Sequence, residues 1–127
     1  MFDINWNRFA LLHADCTRAF EDLCYHLFCR KYNQKEGIRT DFNQVGLETE
    51  PIEDNGKYYG FQSKYFMKKI NYDNIKASIK KALDNYSNLD HIIIYLNQVA
   101  KTSGDSAKSI ENLCSEYGVT VEWFFTK

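Results

Sequence analysis

The stretch Asp90-His91-Ile92-Ile93-Ile94-Tyr95-Leu96 decides the fold. It is a near-continuous run of β-branched and aromatic residues without polar alternation, the composition of a strand covered on both faces in the middle of a sheet. Upstream, Ile75, Ile79, Ala82, Leu83 and Tyr86 recur at helical spacing, and Asn71 or Asp73 can cap a helix over residues 71–85. Downstream, the polar stretch 101–106 reads as a loop, residues 107–117 as a helix, Gly118 as its stop and residues 119–125 as a final strand. A strand, helix, strand step normally sets the two strands parallel.

Farther upstream, Asp54-Asn55-Gly56 is a compact turn signal joining residues 47–53 to the aromatic stretch 58–66 as a hairpin. Pro51 marks a strand end or edge. Residues 33–37 supply turn types, and 38–42 alternate as a short first strand. Before them Phe9, Leu12, Cys16, Phe20, Leu23 and Leu27 fall three and four apart, the period of one amphipathic helix over residues 6–32. The expected order is α-β-β-β-α-β-α-β, an α/β architecture with a central mixed sheet and helices on both faces.

The length of 127 residues suits one domain, residues 1–127, with a single core. Hydrophobic residues make up 44% and aromatics 16%, with one proline and six glycines, so the chain folds rather than serving as a linker. The longest apolar run, Ile92 to Leu96, is far short of the roughly 20 residues that span a bilayer. Met1 is followed by Asp3 and Asn5 rather than by a basic, then apolar, leader, and the expectation is a cytoplasmic protein without a membrane partner. Cys16, Cys24, Cys29 and Cys114 read as buried free thiols, because no CxxC pair or HxxxH set accompanies them. The formal net charge of −1 supplies no bulk attraction to nucleic acid, so any DNA contact is local.

Glu48 and Glu50 stand two apart on an expected strand and so share a face, as do Gln62 and Lys64 on the next strand. Four polar groups can then converge. Burying them costs several kcal/mol by usual estimates, ~2 or more each, unless they are paired, solvated or bound to a cation. Two carboxylates and an amide oxygen are hard ligands suited to Mg²⁺ or Mn²⁺, with a lysine placed to orient a water and offset charge on a phosphate. On local spacing alone a solvated strand face accounts for both fragments more readily; the order of elements shifts that reading.

An α-β-β-β-α-β core with an acid on the second strand and Gln62-Ser63-Lys64 on the third resembles the PD-(D/E)xK nuclease superfamily, particularly its Mrr-like branch. The resemblance spans about residues 9–97 and implies a three-layer αβα restriction-endonuclease-like core. Phe20-Glu21-Asp22-Leu23 looks like the first-helix acid, and Gly46-Leu47-Glu48-Thr49-Glu50-Pro51-Ile52 like the second motif, with glutamate where aspartate is usual. The ligand is Glu48 or Glu50; Glu50 is favoured because it lies nearer the turn and at a separation from Gln62 closer to the family pattern. By this resemblance Glu50 is the main metal ligand, Gln62 a second ligand or its orienter, Lys64 the residue that positions water and Glu21 a helper, with Glu48 the alternative ligand. Asn43-Gln44-Val45-Gly46 followed by Glu48-Thr49-Glu50-Pro51-Ile52, then Gly60-Phe61-Gln62-Ser63-Lys64-Tyr65-Phe66, are similar to N-terminal effector domains of STAND-type antiphage NTPases, implying a DNA-cutting head that self-associates as a dimer or higher and is activated by an NTPase sensor. A catalytically silent module of the same fold, binding DNA or driving self-association, is the alternative.

Lys57, Lys64, Lys68, Lys69, Lys76, Lys80 and Lys81 suit a phosphate track and a solvated helix face equally. Tyr58, Tyr59, Phe61, Tyr65 and Phe66 are expected in the core rather than stacked on bases. His13, Asp15 and Cys16 do not make a nucleophile motif, since one helix cannot align such a set without partners elsewhere.

Overall fold

In the computed structural model, which describes residues 5, 16–33 and 46–125, the isoleucine run forms one of the two inner strands of a mixed sheet that has four strands among the described residues. The described elements are α1 (Cys16–Lys31), β1 (Ile52–Asp54), β2 (Lys57–Lys64), α2 (Tyr72–Asn85), β3 (His91–Leu96), α3 (Asp105–Glu116) and β4 (Thr120–Phe125). The strands lie in the order β1-β2-β3-β4, with β1 antiparallel to β2 and the other two pairings parallel. The expected strand at 38–42 and the first ten residues of the expected helix at 6–32 lie outside the described residues. Among the described residues, no helix is long and apolar enough to cross a membrane.

Period-two alternation divides the core. Phe61, Ile93 and Tyr95 meet Phe20, Cys24, Phe28 and Cys29 of α1 on one face of the sheet. On the other, Ile92, Ile94 and Leu96 pack with Ile75, Ile79 and Leu83 of α2 and with Ile110 and Cys114 of α3. Ile92, Ile93 and Ile94 are 0% exposed, which is why this strand carries no polar alternation.

Local chemistry sets the boundaries. The hairpin turns on Asn55 and Gly56, both at positive φ, so Asp54 and Lys57 pair across a two-residue loop of the kind that matches strand twist. Asn71 caps α2, its side chain accepting a bond from the Asn74 amide at 3.0 Å. At the end of α3, Gly118 has φ +72°; its N–H reaches the Ser115 carbonyl at 3.0 Å and the Val119 N–H the Cys114 carbonyl at 2.9 Å, the paired bonds of a Schellman ending.

The segment expected as strand 47–53 is only partly regular. The Glu48 N–H donates to the Phe61 carbonyl at 3.1 Å, whereas Ile52 pairs with Tyr59. Residues 49–51 therefore stand opposite Gly60 alone, two more than a regular antiparallel ladder holds. Thr49 keeps an isolated bridge, and Pro51, with no N–H, sits inside the irregularity.

Candidate functional site

The C-terminal half of β2 turns the sequence Gln62-Ser63-Lys64 alternately to the two faces of the sheet, while the edge of β2 away from β3 meets the segment around Glu48. Glu48 is 5% exposed, and its Oε1 accepts two bonds from Ser63, from the backbone N–H at 3.3 Å and the hydroxyl at 3.1 Å. Those bonds fix the carboxylate at the end of the β1–β2 edge, where strand pairing has lapsed. Hydrogen bonds to a charged acceptor are among the stronger ones.

Glu50 goes elsewhere. The two extra residues opposite Gly60 break the i, i+2 rule that puts both glutamates on one face, and Glu50 is exposed. Its field falls on Tyr86, at the end of α2, whose hydroxyl is raised first by burial and then by Glu50. Glu48, not Glu50, acts on Lys64. Burial lowers the Lys64 ammonium from its ordinary value, while Glu48 holds it up, Lys81 lowers it and Glu21 raises it.

Lys64 Nζ donates to Asn74 Oδ1 at 3.0 Å and to Ser78 Oγ at 2.7 Å. These acceptors stand four residues apart on α2, hence on one side of the helix. An ammonium carries three donors, and among the described residues two of them are taken, leaving one for a water or a phosphate oxygen.

Gln62 is 0% exposed. Its Nε2 donates to the Gly46 carbonyl at 2.6 Å, and among the described residues its Oε1 is a buried acceptor without a hydrogen-bond partner. Such an atom costs stability as it stands and is the kind of hard oxygen a partly hydrated divalent cation takes. Gly46 makes the arrangement possible: at φ +92° it lies so close to α2 that a Cβ there would come within 2.3 Å of the Ser78 carbonyl oxygen.

The structure thus joins Glu48 to Ser63 on the α1 face, sets Gln62 beside Lys64 on the α2 face, and leaves Glu48 and Glu21 within electrostatic reach of both Lys64 and Cys24. Ser63, Asn74, Ser78 and Gly46 were not legible as parts of the site. A serine sharing its strand face with Phe61 and Tyr65, and an Asn74/Ser78 pair beside the apolar stripe of α2, were the available signals. Among the described residues no group of three or more His, Cys, Asp or Glu side chains could hold a metal.

Other candidates resolve simply. Lys76 donates to Ser109 Oγ, and Lys80 to Asp84 Oδ1 and the Tyr117 hydroxyl, so both tie α2 to the α3 region. Phe61 lies in the core, with Tyr59 and Tyr65 packed against it. The four thiols are unbridged, and His13 and Asp15 lie outside the described residues. No protein-family model matches the chain, and no curated protein matches it at a significant level.

Proposed function

We propose that this chain is a Mg²⁺- or Mn²⁺-dependent DNA endonuclease with a restriction-endonuclease-like core of the PD-(D/E)xK kind. The observation that carries the reading is Lys64, half-buried at the end of β2 under the field of the Ser63-anchored Glu48 and on the same face as Gln62, whose buried Oε1 has no partner among the described residues. The site lies where the parallel strands of an open α/β sheet end, the usual place for ligands in such sheets.

In this reading Glu48 takes the ligand role that the sequence pattern favoured for Glu50, and Gln62, turned to the α2 face across β2 from Ser63, takes the alternative role of orienter. A divalent ion bound there would polarise the phosphodiester and acidify a water. Lys64, aimed by Asn74 and Ser78, orients that water with its remaining proton and offsets charge gathering on the phosphate oxygens. Glu21 adds negative charge on the α1 side. Cutting both strands calls for two such sites, hence a dimer or higher assembly. The resemblance to antiphage effector domains supports a cytoplasmic role under a STAND NTPase sensor.

One set of observations favours a second reading, a catalytically silent module of the same fold. Glu48 Oε1 is already filled by Ser63, two Lys64 protons are held by α2, and the described residues offer no three-ligand acid, histidine or cysteine group.

Plasmid nicking and linearisation with Mg²⁺, Mn²⁺ or EDTA separates the two. Metal-dependent cutting by the wild type and by Glu50→Gln, lost in Lys64→Ala and Glu48→Gln, supports the nuclease with Glu48 as ligand. Cutting lost in Glu50→Gln but kept in Glu48→Gln reverses the ligand assignment, and equal cutting by all variants marks a contaminant. No cutting by any form, at concentrations that permit self-association, leaves the silent module.

A further inference from the structure

Beyond Lys64 the chain leaves the sheet through residues 65–71, and beyond Leu96 through residues 97–104. These two loops follow neighbouring parallel strands and emerge at the same end of the sheet. They are fastened to each other. Asn97 accepts a bond from the Phe66 N–H and donates to the Phe66 carbonyl, both at 2.9 Å, and Gln98 Nε2 donates to the carbonyls of Phe66 and Lys68.

The joined loops present an unusual surface. Lys68, Lys69 and Lys101 are exposed on them, and neither loop contains an aspartate or glutamate. Met67 is 78% and Val99 58% exposed, two of the three large apolar side chains that stand out among the described residues. The nearest carboxylates along the chain, Asp73 and Asp105, lie in the first turns of α2 and α3. Both helices start at this end, so the positive ends of their dipoles face the same side. Lys69 lines one hollow of about 350 Å³ between the two helix starts together with Asp73 and Ser106, so among the described residues the free cationic side of the surface is that of Lys68 and Lys101.

We infer that this fastened pair of loops is a docking surface for duplex DNA, with Lys68, Lys69 and Lys101 on the phosphates and Met67 set against the bases of a groove. Mobile lysines alone would be ordinary surface. Here a rigid frame holds cations around a protruding apolar side chain, the combination that groove-binding proteins use when a wedge enters between base steps. A protein that is net negative overall can bind DNA only through such a local patch. The inference rests on the nuclease reading for its partner, since it carries the duplex to the strand end where Lys64 lies.

The test is fluorescence anisotropy of a labelled duplex with the full chain in EDTA, where cutting does not interfere, across a salt series. Wild type should bind with affinity falling as salt rises. Lys68→Ala with Lys69→Ala should weaken binding and flatten the logarithmic salt slope by about two, and Met67→Ala should weaken it without changing that slope. Lys57→Ala, at the hairpin turn, should bind as wild type. Absence of wild-type binding, an equal loss in Lys57→Ala, or a preference for an RNA duplex of the same length overturns the inference. Binding through these loops by a protein that never cuts DNA supports this surface and removes the nuclease reading; cutting with unchanged binding in the loop variants does the reverse.

Discussion

Gly46 and Gly118 both have positive φ, at +92° and +72°, yet they answer different demands. Gly118 ends α3, and a Cβ there meets nothing within 4 Å, so only backbone conformation resists a side chain. Gly46 is pressed on α2: its Cβ would sit 2.3 Å from the Ser78 carbonyl oxygen and 2.5 Å from the Ala82 nitrogen, both backbone atoms that cannot swing aside. Gly118→Ala should cost about 1 kcal/mol, from left-handed strain alone. Gly46→Ala adds the clash and should cost about 3 kcal/mol. It should also move the carbonyl that holds Gln62 and the helix turn that holds Lys64. Urea midpoints measure both, and equal losses would mean that residue 46 does not rest on α2 as described.

Among elements, the β2–β3 ladder is extended by a side chain rather than by backbone. Asn97, 6% exposed, occupies both the N–H and the carbonyl of Phe66 just past the last paired residues, Lys64 and Leu96. Asn97→Ala leaves the Phe66 N–H without its acceptor, while the carbonyl keeps its bond from Gln98, and should cost about 1–3 kcal/mol. Hydrogen exchange at the Phe66 amide should rise sharply while the Ile93 amide, deep in the sheet, stays protected; an unchanged Phe66 rate would show that Asn97 is not what shields that N–H. The regular elements were legible because each is written locally: Ile92 to Ile94 as a covered strand, Asn55-Gly56 as the hairpin turn, Asn71 and Gly118 as helix ends. The position of Glu48 was not, because the reading assumed unbroken period-two pairing from Leu47 to Glu53. The extra residues opposite Gly60 send Glu48 inward and Glu50 outward, and Pro51, taken as an edge marker, was their trace in the sequence. Ser63, Asn74 and Ser78 gain their meaning only from contacts across 10 or more residues, which no local pattern encodes.

At the scale of the whole molecule, both faces of the sheet keep weak acids neutral. Burial pushes the Cys24 thiol on the α1 side well above the ordinary range, with Glu48 and Glu21 adding to it, and pushes Cys114 on the α3 side up to about 12, with Glu111 adding. Tyr95, between α1 and the sheet, is raised mainly by burial as well. In the unfolded chain these thiols ionise near 9. Above that pH the unfolded state has released protons that the folded state retains, so stability present below pH 9 is lost as pH climbs toward 12. Each thiol contributes a slope of about −1.4 kcal/mol per pH unit in that window. Lys64 has the opposite sign: with its folded value lowered, the unfolded chain holds the extra proton and stability rises with pH until the ordinary lysine value of 10.5 is passed. Two thiols outweigh one amine, so the urea midpoint should be flat from pH 7 to 8.5 and fall steadily from 9 to 10.5. Replacing both thiols, Cys24→Ala with Cys114→Ala, lowers stability at every pH through the cavities left behind, but it should remove most of the alkaline slope, and the slope is the quantity to read. A wild type as stable at pH 10.5 as at pH 8 would show that these thiols ionise in place, and that the two halves of the core are wetter than their packing implies.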